Sequence, residues 1–579
     1  MKRRFTMLRA VLVDLSLLAL CVGCAPSQGR DTSASAERPD GKNHESWFRD
    51  ISMEAGLDFV HQSGATEGFA LPEIMGGGAA FLDFDNDGKL DIYLTTGTAN
   101  LGRDVGPDGP RNRLYRQEAN GRFSDVTASS GLGDAGYGMG VAVGDIDNDG
   151  DADVYVTNFG PDRLYRNRGD GTFEDTTATS GIAVPGWSCS AAFLDYDCDG
   201  FLDLFVTQYV KYEDSKRCVD RAGRPDYCGP ESFRPSSDVL LHNNGDGTFT
   251  DVSARSGITS ESAAGLGVVC DDLNSDGLPD VYVANDAYAN HLWINQGNGT
   301  FRESALLLGA AYNAHGKAEA GMGVVAADLD GNDSTDLYVT HLANESNTMY
   351  RNTKAQGGFI DGTGLAGLAA SSMSYTGFGT AAFDVELDGD LDLLVVNGRV
   401  ARGNPLPGAT VPPPWDVFAE PNLFYMNNGN GRFELLGTPM ASVCDPIEIS
   451  RALVAGDIDS DGDIDVLINN IQGSARLYRN DAPRKGHWLG VRATSPQLRR
   501  DAIGAKITVF CGERRFSRTI NRGHGYLSSH DPRAHFGVGG HTRVERIDVR
   551  WPDGLLERFP GSPVDRYVEL VQGTGEPER

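Results

Sequence analysis

A nine-residue loop recurs seven times along the chain: DFDNDGKLD at 83–91, DIDNDGDAD at 145–153, DYDCDGFLD at 195–203, DLNSDGLPD at 272–280, DLDGNDSTD at 328–336, DVELDGDLD at 384–392 and DIDSDGDID at 457–465. Self-similarity at such intervals confines the chain to a repeat architecture. Positions 1, 3, 5 and 9 carry oxygen side chains throughout. They are Asp83, Asp85, Asp87 and Asp91; Asp145, Asp147, Asp149 and Asp153; Asp195, Asp197, Asp199 and Asp203; Asp272, Asn274, Asp276 and Asp280; Asp328, Asp330, Asn332 and Asp336; Asp384, Glu386, Asp388 and Asp392; and Asp457, Asp459, Asp461 and Asp465. These side chains converge when the chain curls at position 6, where every loop but the fifth has Gly. Hard oxygen donors at this spacing suit Ca²⁺, and suit Mg²⁺ less, since Mg²⁺ keeps its waters and demands a near-ideal octahedron. The expected cofactor is calcium, up to seven structural ions. Asp333 replaces Gly in the fifth loop, so that site is the one whose occupancy the sequence leaves open.

An EF-hand would need Glu at position 12 and helical flanks. Position 12 of the first loop is Leu94, and the flanks alternate as strands do, with Val154-Tyr155-Val156-Thr157 after one loop and Gly138-Met139-Gly140-Val141-Ala142 before it. The small residues place the preceding strand innermost, where backbones crowd around an axis. Downstream, RLYRNRGDGTFEDTT at 163–177, VLLHNNGDGTFTDVS at 239–253 and HLWINQGNGTFRES at 291–304 read as hairpins that complete four-stranded blades. The last repeat stops at Arg476-Leu477-Tyr478-Arg479-Asn480 without its closing strand, and Phe48-Arg49-Asp50-Ile51-Ser52 supplies it. The sequence therefore predicts an all-β chain, a seven-bladed β-propeller closed by its own N-terminal strand, with a small β-rich C-terminal domain.

At the N-terminus Lys2, Arg3, Arg4 and Arg9 flank an apolar run from Ala10 to Leu20 that is short for a bilayer span and reads as an export signal. Leu20-Cys21-Val22-Gly23-Cys24 resembles a bacterial lipobox, with Cys24 the residue that would carry lipid. Cys21 where Leu is usual, and Asp14 inside the apolar run, leave simple secretion as the alternative. The expected segments are a lipoprotein-type signal at 1–24, a flexible linker at 25–46, the propeller at 47–481 and the C-terminal domain at 487–575. The expected location is a bacterial membrane-anchored lipoprotein facing the periplasm or the cell exterior. Of the nine cysteines, Cys218 and Cys228 lie in a polar insertion where an oxidising compartment favours a local disulfide.

The formal charge of −30 excludes nucleic acid as an expected partner. It is unevenly held. Residues 487 onward have 15 Lys or Arg against 11 Asp or Glu, so that domain is basic and either docks on the acidic propeller or binds an anionic partner.

The repeats resemble FG-GAP/VCBS repeats. Residues 487–575, with RDAIGA at 500–505, GYLS at 525–528, HFGVG at 535–539 and VRWPDG at 549–554, are similar to the ASPIC/UnbV domain. Together they resemble the cartilage acidic protein family. That resemblance implies an extracellular calcium-binding propeller and supplies no defined activity.

No HExxH spacing or GxSxG turn accompanies His524, His530 and His535, and no catalytic residue is assigned. Five residues after each loop's last aspartate stand Thr96, Asn158, Gln208, Asn285, His341, Asn397 and Asn470, a polar series that is either strand-end turn chemistry or a ligand-facing ring. The long insertions at 209–235 and 398–421 are the recognition candidates. The expected function is an extracytoplasmic binding or adhesion scaffold for a protein or glycan, held to the membrane only by an N-terminal lipid. The alternative is a carbohydrate-active hydrolase or lyase working in the propeller mouth.

Overall fold

A computed structural model describes residues 46–65, 68–98, 101, 109–354, 358–437 and 440–578. The export signal, Cys24 and all but the last residue of the linker lie outside them. Among the described residues seven antiparallel sheets of four blade strands each form seven blades, the first of them extended by a fifth, parallel strand. Their innermost strands are Ala79–Leu82, Gly138–Gly144, Ser188–Leu194, Gly265–Asp271, Val324–Ala327, Gly377–Phe383 and Ser450–Gly456. Each touches the next, and the seventh touches the first, so the ring is closed. Phe48–Asp50 pairs antiparallel with Arg476–Asn480, with Phe48 opposite Asn480, and supplies the fourth strand of the last blade as the sequence predicts.

The C-terminal domain packs two sheets together. In one, His487–Ser495 lies between Ala534–Gly539, antiparallel to it, and Arg566–Val571, parallel to it. The other runs Arg514–Thr519, Lys506–Cys511, Arg546–Arg550 and Leu556–Pro560. Alternation places Ile507, Val509, Ile547 and Val549 inside with Phe536 and Trp551.

This domain sits on the end of the propeller that carries the acidic loops, and its segment 521–531 enters the central channel. Asn521 Nδ2 donates to Cys270 O (2.7 Å), Arg522 NH2 to Phe81 O (3.1 Å) and Leu527 N to Ser190 Oγ (3.0 Å). Gly525 and Val324 exchange backbone hydrogen bonds, Ala455 N donates to His530 Nδ1 (3.0 Å), and Ser528–Ser529 adds a parallel strand to Ala79–Ala80. Tyr526 stacks edge-on against Phe378, and Leu527 Cα lies 3.2 Å from where a Cβ on Gly140 would stand. All seven blades therefore touch the plug. The innermost glycines serve it as well as blade crowding: a Cβ on Gly78 would meet Leu527 O at 2.8 Å and Met139 O at 2.4 Å.

The far mouth is closed too. Leu71, Ile74 and Met75 are buried over Tyr526 in one cluster with Trp187, Tyr209, Phe233, Phe418 and Ile449. The far mouth is thus a packed interior. The insertions, expected outside the blade core, join that interior and each other: Arg402 N donates to Asp226 Oδ2 (3.0 Å), and the Tyr227 and Phe418 rings lie 5.5 Å apart. The Cys218–Cys228 disulfide is formed, on a hairpin of Cys218–Val219 with Pro225–Asp226. No helix among the described residues is long and apolar enough to cross a membrane.

Candidate metal centres

Each loop links a blade's first strand to its second, at the end covered by the C-terminal domain. In the first loop Asp83 accepts hydrogen bonds from the backbone of Asp87 and Gly88 (both 3.0 Å), and Asp91 from Phe84 N (3.1 Å) and Gln117 N (2.8 Å). The same pattern recurs at Asp145, Asp195, Asp272, Asp328, Asp384 and Asp457 in position 1. It recurs also at Asp153, Asp203, Asp280, Asp336, Asp392 and Asp465 in position 9. Position 6 takes the left-handed conformation throughout. Asp333 adopts it with φ 69°, so the fifth loop keeps the turn without Gly, and the Asp333 carboxylate meets Arg515 (2.6 Å) and Ser517 Oγ (3.0 Å). Sequence reading missed a second left-handed residue at position 4, where Asn86, Asn148, Cys198, Ser275, Leu387 and Ser460 have φ of 55–65° and Gly331 72°.

Ligand-type atoms of Asp83, Asp85 and Asp91 lie within 4.8 Å of one another, as do those of Asp145, Asp147 and Asp153, of Asp195, Asp197 and Asp203, and of Asp328, Asp330 and Asp336. Position 5 stands apart from these groups of three. Asp87, Asp149 and Asp388 accept from the backbone at position 7 instead. Basic side chains also reach in: Arg166 to Asp147 and Asp149, Arg351 to Asp330, and Lys485 to Glu386.

Whether these residues fit a cation is decided by two observations. Asp85 Oδ1, Asp147 Oδ1 and Glu386 Oε2 are buried without a hydrogen-bond partner, a cost that a bound cation removes. Burial, reinforced by neighbouring carboxylates, pushes the position 9 carboxyls up, to about 8 for Asp91, Asp280 and Asp336 and about 9 for Asp203. Position 1 follows, at about 6 for Asp145, Asp195 and Asp457 and about 7 for Asp384. Packing so many carboxylates into part-buried turns is unfavourable unless a cation compensates, and the donor set fits Ca²⁺.

A device that the sequence did not disclose ties the loops into a ring. The penultimate or last residue of each third strand donates its backbone N–H to its own position 9 carboxylate and its side-chain amide to the position 2 carbonyl of the preceding loop. Asn167 reaches Phe84 O (2.8 Å), Asn243 Ile146 O (2.7 Å), Asn295 Tyr196 O (2.8 Å) and Asn352 Leu273 O (3.0 Å). Asn427 reaches Leu329 O (3.0 Å), Asn480 Val385 O (3.2 Å), and Gln117 closes the circle on Ile458 O (2.8 Å). The recurring RN of the hairpin motif was its only signal.

The polar series at the other end is buried and serves local structure. Asn158 donates to Asp134 and Pro161 O, Gln208 to Ser188, Asn285 to Ala289 O, Asn397 to Pro421 O, and Asn470 to Glu448 and Ser474 O. Thr96 bonds Gln62, and His341 lies 3.7 Å from Glu319. His530 is buried and His524 and His535 half-buried in or beside the plug; desolvation lowers all three, to about 4 for His524 and His535.

Comparison with known proteins agrees with this architecture. Residues 495–577 match the family described as ASPIC and UnbV, and residues 83–156, 145–206, 219–283 and 272–339 match the FG-GAP-like repeat. Cartilage acidic protein 1 of Mus musculus is 25% identical over 364 residues, covering 59% of this chain and 52% of that protein. Its Homo sapiens counterpart is 24% identical over 364 residues, covering 59% and 50%. The chain spans about half the length of the curated relatives it matches. Among solved structures, an Agrocybe aegerita lectin that recognises non-reducing terminal N-acetylglucosamine aligns over 62% of this chain and 79% of its own, at 17% identity and a TM-score of 0.34. A Bacillus licheniformis rhamnogalacturonan lyase aligns over 70% and 72% at 14% identity and a TM-score of 0.36. Likenesses this weak carry no argument about activity.

Proposed function

We propose that this homologue of cartilage acidic protein 1, built of FG-GAP-like repeats and an ASPIC and UnbV domain, is an extracytoplasmic calcium-stabilised binding scaffold. The observation that carries the calcium reading is the buried, unpartnered carboxylate oxygen in three of the seven like-built loops. Calcium would neutralise the carboxylates, and seven ions would offset about half of the formal −30. Binding rather than turnover is favoured because Tyr526 and Leu527 fill the channel under Leu71 and Ile74, which closes the far mouth to a substrate. The interlocked insertions at 209–235 and 398–421 are the surface we assign to an extracellular protein or glycan. The disulfide fits an oxidising compartment, and Cys24 is the residue we assign to the lipid anchor.

Elemental analysis and thermal melting with and without EDTA test the calcium reading. With a dissociation constant of about 0.1 mM, each site adds about 1.4 kcal/mol at 1 mM calcium, so EDTA lowers Tm sharply. No bound calcium together with an unchanged melt would refute it. Intact mass tests the anchor, and a mature chain without diacylglycerol on Cys24 would rule it out.

A further inference from the structure

One of the seven loops differs from the rest in the atom type that faces it. The residue before each interblade amide is Arg116, Arg166, Arg351 and Arg479 in four blades and Ile294 and Met426 in two, Arg116 and Arg479 pairing with Glu118 and Asp481. Arg166 and Arg351 meet loop carboxylates directly, and a guanidinium has no lone pair to give a metal. In the third blade the same place holds His242. Its Nδ1 lies 3.1 Å from Asp203 Oδ1 and 3.5 Å from Asp197 Oδ2, and forms with Asp197 and Asp199 a group whose ligand atoms all fall within 4.8 Å. Asp197 belongs also to the group of Asp195 and Asp203. The third loop therefore offers an imidazole nitrogen among its carboxylates.

Calcium takes oxygen donors and gains little from an imidazole. Zinc and its first-row neighbours take both, at bonds of about 2.0–2.2 Å that put neighbouring donors about 3–3.6 Å apart. Separations of 3.1 and 3.5 Å fall in that range without rearrangement. The His242 side chain is 19% exposed and Asp197 28%, so an ion can enter from solvent.

We infer that His242 with Asp197 and Asp199 forms a mixed nitrogen–oxygen site for a divalent first-row transition ion, zinc(II) being the best match, beside all-oxygen loops that take calcium. This rests on reading the loops as metal sites. The experiment dialyses the full-length protein against millimolar calcium with micromolar zinc and measures both metals by elemental analysis. The same is done for His242→Gln and for His242→Arg, which restores the residue of four other blades. The expected result is one zinc per chain in the wild type and none in either variant, with a lower Tm for the variants in zinc-containing buffer and matching Tm values when zinc is withheld. Calcium retained without zinc in the wild type would overturn this inference and leave the calcium reading standing. Neither metal retained would overturn both. Zinc retained equally by the variants would place it elsewhere and defeat the assignment, as would failure of the ¹⁵N resonances of the His242 ring to shift on zinc addition.

Discussion

Asn427 accounts for three hydrogen bonds at one blade junction. Its backbone N–H holds Asp392 (2.8 Å), and its amide nitrogen reaches Leu391 O and, in the preceding loop, Leu329 O (both 3.0 Å). It is buried, so an Asn427→Ala chain leaves two carbonyls without that donor. We expect a loss of about 1–3 kcal/mol in urea unfolding, with the metal content unchanged. A loss within about 0.5 kcal/mol would mean that the junction does not depend on this amide. The clustering of the loop carboxylates was legible because positions 1, 3, 5 and 9 lie within one nine-residue turn. The amide's partner was not: Leu329 is 98 residues away, and the pairing exists only once the blades stand side by side. The left-handed position 4 was hidden for another reason, since Asn, Ser, Cys and Leu do not advertise positive φ as Gly does.

At the scale of the element, the plug at 521–531 depends on two neutral histidines. The His524 and His530 rings stack with centroids 3.5 Å apart. Burial lowers His524 to about 4, and burial together with His524 and Arg522 lowers His530 further. The unfolded chain takes up these protons below about pH 6.5, whereas the folded chain resists until near pH 4. Stability is therefore full above pH 6.5 and falls as the pH is lowered toward 4, by on the order of 3 kcal/mol for His524 at the end of the window, with His530 adding in the same direction. In calcium buffer we expect Tm to fall less between pH 7 and 5 in a His524→Asn, His530→Asn chain than in the wild type, Asn being able to keep the acceptor for Ala455 N. Parallel curves would refute this account. Nothing in GHGYLSSH announces a plug, because its partners are one or two atoms from each of seven strands.

At the scale of the whole molecule, charge and closure act together. The basic domain sets Arg500 beside Asp145 and Asp195, Lys506 beside Asp271, Arg518 beside Asp328 and Asp384, and Arg533 on Asp457 O. The docking that the charge asymmetry left open between two readings is thus realised on the loops themselves. Closure was legible in full, because the last repeat lacked a strand that the N-terminus possessed. That strand is only three residues long, and Phe48, 1% exposed, is its anchor, with its ring 5.6 Å from Phe424 and 6.4 Å from Phe383. Phe48→Ala should cost about 3–5 kcal/mol in urea unfolding, the range for removing a buried aromatic ring. The larger effect should follow from deleting residues 46–51, which leaves the backbone of Arg476–Asn480 as an unpaired edge in an otherwise closed ring. Such a chain should associate through that edge, seen as concentration-dependent oligomers in sedimentation, while full-length Phe48→Ala stays in the wild-type state. A deletion variant that sediments as the wild type does and unfolds at the same urea concentration would show that the ring is held shut by the plug and the interblade amides without its closing strand.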